Sequence, residues 1–190
     1  MSRTIPLTKD KFALVSDEDY EYLINVGRWR ASRQHYAVHY TTDTAGRQKL
    51  LYMHRLVAER VFGPLNGFQV DHISGAILGP QARLDNRRDN LRLATRSQNQ
   101  AHKGPQINTR LAKGIHRRAN RFEVKIRYCG QRFYLGRYVD LQTAWMVYAA
   151  AHRRLWNEFT TEADVPVTPE IEESVRALLC SQLPADGMGA

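Results

Sequence analysis

Asp71 and His72 stand side by side, and Asn90 and Asn99 follow them, in a pattern that could hydrolyse a phosphodiester bond. That reaction needs a base to take a proton from water, a cation to neutralise charge on the phosphate, and rigid positioning of both. An imidazole beside a carboxylate offers the base and a ligand for the cation. Two asparagines could complete the positioning. The stretch reads Val70-Asp71-His72-Ile73, then Leu84-Asp85-Asn86-Arg87-Arg88-Asp89-Asn90-Leu91-Arg92-Leu93, then Arg96-Ser97-Gln98-Asn99-Gln100. Each piece alone has a plainer reading. An Asp-His pair can be a surface hydrogen-bond pair, and Asp-Asn-Arg can be an ordinary turn whose side chains bond their own backbone.

Order and context favour the chemistry. An apolar strand, Phe68-Gln69-Val70, delivers Asp71 and His72 to a Gly-containing loop, and a second short strand, Leu91-Arg92-Leu93, follows Asn90. Thr95 or Ser97 can then cap a helix that runs through Asn99. This strand-loop-strand-helix order resembles the HNH endonucleases, the ββα-metal nucleases, and most closely their phage and intron-encoded homing branch. The resemblance implies a role for each residue. His72 matches the general base, Asp71 the first metal ligand and Asn99 the second, and Asn90 matches the Asn that holds the loop and the catalytic His by hydrogen bonds. One divalent cation, Mg²⁺ or Mn²⁺, is the implied cofactor, in keeping with hard oxygen ligands. The chain departs from the pattern in two ways. The stretch through Gly75–Ala82 is longer than the short loop of this branch, and His102 lies near enough to Asn99 to compete as a ligand.

The elements upstream must position these groups. Residues Leu51–Phe62 read as a helix stopped by Gly63-Pro64, with Met53, Leu56, Val57 and Val61 at helical spacing toward the core. His54 lies in a His-Arg-Leu-Val run similar to one that often precedes the nuclease motif. It is a supporting residue or a partly buried structural histidine. Farther upstream, Ile5–Thr8 and Phe12–Val15 suggest strands, and Asp17–Leu23 a helix capped by Ser16. Tyr36–Tyr40 and Lys49–Tyr52 then suggest a hairpin. This segment either scaffolds the core or touches DNA through Arg28, Arg30 and Arg33.

Charge points to a polyanionic partner. The net charge is +9 over 190 residues, unevenly spread. Residues 1–103 carry 16 Lys/Arg against 10 Asp/Glu, residues 104–160 carry 11 against 3, and residues 161–190 carry 1 against 6. A concentrated basic block suits phosphate contact. The two cysteines, Cys129 and Cys180, lie too far apart for a zinc-binding pair. That argues against a structural-zinc protein and for a reducing, cytoplasmic setting. No apolar run approaches membrane length, and no signal peptide opens the chain.

The basic block has its own architecture. Lys113–Arg118 reads as a short strand before a turn at Ala119-Asn120. Residues Arg121–Tyr128 alternate strictly, with Phe122, Val124 and Ile126 on one face and Arg121, Glu123, Lys125 and Arg127 on the other. Cys129-Gly130 turns the chain into a third strand, Gln131–Tyr138, and a helix follows from Leu141 to Trp156. Three antiparallel strands under one helix would leave an arginine-rich sheet face. Lys113-Gly114-Ile115, Tyr134-Leu135-Gly136-Arg137-Tyr138 and the helix with Ala144, Tyr148 and Trp156 resemble the Apetala-two, ethylene-response-factor type of DNA-binding domain. That family reads the major groove with its sheet. The resemblance implies DNA contacts from Arg117, Arg118, Arg121, Lys125, Arg127, Arg132 and Tyr134. The Trp usual in the first turn is missing here, which leaves base-specific assignments open, and an ordinary solvated sheet face is the plain alternative.

The expected protein is therefore of the α+β class, a ββα-metal nuclease core followed by a three-stranded antiparallel sheet packed on one helix. Residues 1–50 form a β-rich segment beside the nuclease core at 51–103. Residues 104–110 are a linker, 111–160 the DNA-binding domain, and 161–190 an acidic tail with a short helix that serves mainly solubility. The expected partner is double-stranded DNA, met by a monomer, with neither a small-molecule substrate nor a membrane. A DNA-binding regulator that kept the nuclease fold without its activity is the rival reading.

Overall fold

The chain divides into two units, residues 1–99 and 100–190, and the computed structural model describes residues 1–75, 79–103 and 113–183. The expected linker at 104–110, the last residues of the tail and the middle of the Gly75–Ala82 loop lie outside the described residues.

In the first unit, β1 (Ser2–Pro6) and β2 (Phe12–Ser16) form an antiparallel hairpin that leads into α1 (Asp17–Val26). β3 (Arg30–Ala31), β4 (Ala37–Thr42) and β5 (Gln48–Tyr52) make an antiparallel sheet in the order β3-β4-β5. The chain then enters α2 (Met53–Phe62), the antiparallel pair β6 (Gln69–His72) and β7 (Leu91–Ala94), and α3 (Arg96–Ala101). One apolar cluster joins most of these elements. Ile5, Ala13, Val15, Leu23, Trp29 and Ala37 from the N-terminal elements close over Met53 and Val57 of α2 and Leu91 of β7. The N-terminal segment thus supplies most of the core on which the site rests.

Three local expectations need correction. The helix begins at Met53, because Leu51 and Tyr52 finish β5 opposite His39 and Val38. Val61 is exposed, since the last turn of α2 runs past the core, and His54 and Ala58 are buried in its place. Ser16 precedes α1 in extended conformation but makes no side-chain cap. Its Oγ instead accepts from the Arg88 backbone N–H at 3.0 Å. The cap of α3 does form. Gln98 N–H donates to Thr95 Oγ1 at 3.2 Å and Thr95 N–H to Gln98 Oε1 at 2.7 Å, a reciprocal capping box.

Asp19 of α1, fully buried, is the polar centre of this unit. Its Oδ1 accepts from Arg60 Nε of α2 at 2.9 Å and from Arg88 Nη2 at 2.8 Å, and its Oδ2 from Arg88 Nε at 2.6 Å. Burial by itself would push the carboxyl pKa up. Hydrogen bonds and charge from Arg88 and Arg60 outweigh that and hold it below the usual carboxylate range. The carboxylate therefore stays ionised and ties two helices to the turn that carries Asn90.

In the second unit, β8 (Ile115–Arg118), β9 (Arg121–Tyr128) and β10 (Gln131–Tyr138) form an antiparallel sheet in the order β10-β9-β8. Its apolar face packs against α4 (Leu141–Trp156), capped where Asp140 Oδ1 accepts from Thr143 N–H at 2.7 Å. Gly114 makes the close approach possible. Its φ is +79°, and a Cβ there would collide with the Tyr148 ring of α4 and the Lys125 carbonyl. The tail is more than a solubilising appendage. Its helix α5 (Pro169–Gln182) packs on α4 and β10 through buried Val175 and Leu179. The Gln182 amide bonds both backbone groups of Tyr134 on the edge strand, donating at 3.0 Å and accepting at 3.3 Å, which covers part of an edge that would otherwise invite pairing.

Asp19→Asn should cost on the order of 3 kcal/mol of stability, the scale seen when one partner of a buried ion pair is removed. Partial exposure of both arginines, 38% and 35%, makes that an upper figure. Urea unfolding checks it, and an unchanged midpoint would show that apolar packing alone holds the two helices to the Asn90 turn.

Candidate active site

The site is built on β6 and β7. Their register sets Asp71 opposite Arg92 and His72 opposite Leu91. Because side chains alternate along a strand, Gln69 and Asp71 share one face while Val70 and His72 share the other. The His72 face is the core face, since Val70 and Leu91 belong to the apolar cluster. His72 is accordingly buried. Its ring lies 5.1 Å, centroid to centroid, from that of His54 in the first turn of α2, and 6.2 Å from Tyr36. Tyr36 also stacks on His54 at 5.1 Å and meets Tyr52 edge-on at 5.8 Å, while the Arg83 guanidinium covers its ring at 5.0 Å.

This apolar and aromatic wall sets the protonation state. Burial pushes the His72 pKa below its ordinary value, against the opposing pull of the Asn86 side chain and the charges of Asp71 and Asp85. His54 is pushed down to about 3, chiefly by burial, with the charges of His72 and Arg55 acting the same way. Both imidazoles are neutral at physiological pH. A neutral imidazole is the form that can accept a proton.

Asn90 acts as a clasp. Its Oδ1 accepts from Ser74 N–H at 2.9 Å, its Nδ2 donates to the Asp85 carbonyl at 2.8 Å, and its own carbonyl accepts from Ile73 N–H at 2.9 Å. The two residues after His72 are thereby fixed to the strand that follows. Its bonds reach the loop beside His72 rather than the ring. The Asn86 side chain, four residues before Asn90, pulls the His72 pKa upward, and the sequence suggests it only as part of a turn.

On the opposite face, Asp71 Oδ2 accepts from Arg92 Nε at 3.0 Å and forms an ion pair with Arg92 Nη2 at 2.9 Å. Asn99 of α3 meets that face too, its Nδ2 donating to Gln69 Oε1 at 2.5 Å. With the amide nitrogen so engaged, the oxygen of Asn99 is the end that could meet a cation. One carboxylate and one amide oxygen suit a small hard cation that keeps several waters and takes further oxygens from phosphate. Among the described residues, no three His, Cys, Asp or Glu side chains group to hold a metal ion by themselves. His102 is buried in the second unit, near enough to His152 for its charge to act on that ring.

The sheet residues divide between two faces. Strand register sets Arg118 opposite Arg121, Arg132 opposite Arg127, and Tyr134 opposite Lys125, so these share the outer face. Arg117 pairs with Phe122 and lies on the other face. Arg137, overlooked at the sequence level, joins the outer face opposite Glu123. Glu123 is buried there by Lys125 at 2.6 Å and Arg137 at 3.1 Å. Among the described residues, Arg118, Arg121, Arg127 and Arg132 are exposed and make no ion pair.

Asn90→Ala would leave Ser74 N–H and the Asp85 carbonyl without their partner, at about 1–3 kcal/mol for each buried group left unsatisfied. Hydrogen exchange should then speed up first at Ile73 and Ser74 and much less in α1. Uniform acceleration across the unit would mean that Asn90 is a general core residue and holds no particular loop.

Residues 51–101 match the family model described as HNH endonuclease. No curated protein and no solved structure matches the chain. The matched segment spans α2, β6, β7 and α3, and so includes His54, Asp71, His72, Asn90 and Asn99. It supports a nuclease of the HNH type acting on DNA, in a family that generally uses a divalent metal.

Proposed function

We propose that the protein is a metal-dependent DNA endonuclease of the homing branch, in which the first unit cuts and the basic sheet of the second unit holds duplex DNA in the manner of the Apetala-two domains. The observation that carries the cutting role is His72, a buried neutral imidazole beside Asp71 on a strand whose exit loop is clasped by Asn90. His72 takes a proton from the attacking water. Asn90 keeps the loop from drifting, and the wall of Tyr36 and His54 excludes bulk water from one side of the ring. A divalent cation, Mg²⁺ or Mn²⁺, would be held by oxygens of Asp71 and Asn99 and supplies charge stabilisation at the phosphate and the leaving 3′ oxygen. The substrate is double-stranded DNA, and the chain acts as a monomer in the cytoplasm of a bacterial or phage-infected cell.

One observation favours a second reading. The Arg92 guanidinium already occupies Asp71 Oδ2, as would suit a DNA-binding regulator that keeps the fold without the reaction. Incubation with supercoiled plasmid separates the two. Nicking that needs Mg²⁺ or Mn²⁺ and stops with EDTA is expected of the wild type. His72→Ala should abolish nearly all of it while changing DNA affinity by no more than a few-fold, because the base acts in the transition state and the sheet binds separately. Cleavage by His72→Ala at the wild-type rate removes His72 from the reaction.

For the sheet, replacing Arg121, Lys125 and Arg127 with Ala should weaken DNA binding and flatten its salt dependence, since each lost phosphate contact reduces the slope by about one. Titrations at two salt concentrations test this. Unchanged affinity and slope would mean that the face is merely solvated.

A further inference from the structure

Gln69 opens β6, and its backbone pairs with Ala94, the fully buried last residue of β7. Asn99 lies five residues beyond Ala94, on α3. Its backbone N–H donates to the Thr95 carbonyl at 3.0 Å, and the Thr95–Gln98 capping box fixes the turn before it. Both backbone positions are thus held by bonds of their own. The bond from Asn99 Nδ2 to Gln69 Oε1, at 2.5 Å, closes a circuit from Gln69 across the strand pair to Ala94, along the chain to Asn99 and back.

This bond adds little to folding. Gln69 is exposed and Asn99 half-buried, so water replaces the bond at small cost. Its effect is on direction. The last torsion of an Asn side chain is broad and roughly two-fold, so an unbraced amide turns oxygen or nitrogen to a given point with similar ease. The oxygen is a ligand for a hard cation, whereas the NH₂ group only donates and repels one. Because the amide is planar, fixing its nitrogen also fixes the direction of its oxygen. Strand parity sets Gln69 on the same face as Asp71, the carboxylate proposed to share the cation.

Resting on the nuclease reading, in which Asn99 holds the cation, we propose that Gln69 is a positioning residue. By accepting from Asn99 Nδ2 it turns Asn99 Oδ1 to the cation and excludes the amide orientation that would repel it. Gln69 acts through Asn99, and the brace and the first ligand come from one face of one strand.

The test is Mn²⁺ binding by the full chain without DNA, followed by loss of the free-ion EPR signal, together with the Asn99 side-chain NH₂ signals of the metal-free ¹⁵N-labelled chain. Gln69→Leu should weaken Mn²⁺ binding about 10-fold, the low end of what losing a ligand's hydrogen-bond partner costs. It should move the Asn99 NH₂ signals to those of a solvated amide and leave the thermal midpoint and the DNA affinity in EDTA unchanged. Gln69→Glu keeps an acceptor in place and should bind Mn²⁺ at least as tightly as the wild type. Weakening in Gln69→Glu as large as in Gln69→Leu overturns the proposal, since Gln69 would then be donating to the Asn99 oxygen. So does wild-type Mn²⁺ affinity in Gln69→Leu while Asn99→Ala binds weakly, which leaves Asn99 a ligand without a brace. DNA affinity lost in EDTA with Mn²⁺ affinity intact makes Gln69 a DNA contact and overturns it as well. A wild type that takes up no Mn²⁺, or Asn99→Ala that binds it like the wild type, removes Asn99 from the metal site, and the proposal falls with that assignment.

Discussion

A single buried carboxylate organises the first unit. Asp19 lies on the helix farthest upstream of the site, yet it grips Arg88, two residues before Asn90, and Arg60 of α2 at the same time. Ser16 adds a second tie by accepting from the Arg88 backbone. The turn at 87–90 is thereby fixed to α1, Asn90 fixes the loop after His72, and His72 is fixed against α2. An ion pair of this kind need not add net stability, because desolvating the charges offsets much of their attraction. Its contribution is geometric. An apolar contact could have held α1 in place, but it would have set no register for the turn.

The β6-β7 pair separates two electrostatic environments across one ribbon. The face with His72 looks into a wall of Tyr36, Tyr52 and His54, where charge is disfavoured and an imidazole stays neutral. The face with Asp71 carries Gln69, Arg92 and the approach of Asn99, where charge is compensated. Strand parity is enough to achieve this, since neighbours in sequence point to opposite sides. An imidazole held neutral and a carboxylate held by a guanidinium can therefore sit next to each other in the chain. The Arg92 pair also means that any cation at Asp71 has a guanidinium as its neighbour, a repulsion that phosphate oxygens would relieve.

The second unit solves a different problem. A three-stranded sheet with one helix has a thin core and an open edge at β10. The tail helix α5 addresses both, adding Val175 and Leu179 to the core and using Gln182 to occupy backbone groups of Tyr134. On the outer face, Glu123 gathers Lys125 and Arg137 and leaves Arg118, Arg121, Arg127 and Arg132 for solvent or phosphate.

Periodicity and local chemistry in the sequence determined much of this. The alternation from Arg121 to Tyr128 predicts a strand with those bounds, and the helix from Leu141 to Trp156 follows from its small and apolar stripe. Asp71, His72, Asn90 and Asn99 are legible as a set because their order follows the strand-loop-strand-helix motif, and all four lie in the segment that matches the HNH endonuclease model. The start of α2 was not legible, since Leu51 and Tyr52 suit a strand edge as well as a helix and pairing with β4 decided between them. Neither the packing of the acidic tail nor the place of Arg117 could be read, because burial of α5 and strand register both depend on partners distant in sequence. The same reason hid Asp19, Tyr36 and Asn86. Nothing local distinguishes a carboxylate on an amphipathic helix, or an Asn in a turn, from its solvated equivalents. Only the closing of the N-terminal elements over α2 and β7 removes water from these groups, and their roles begin when water is gone.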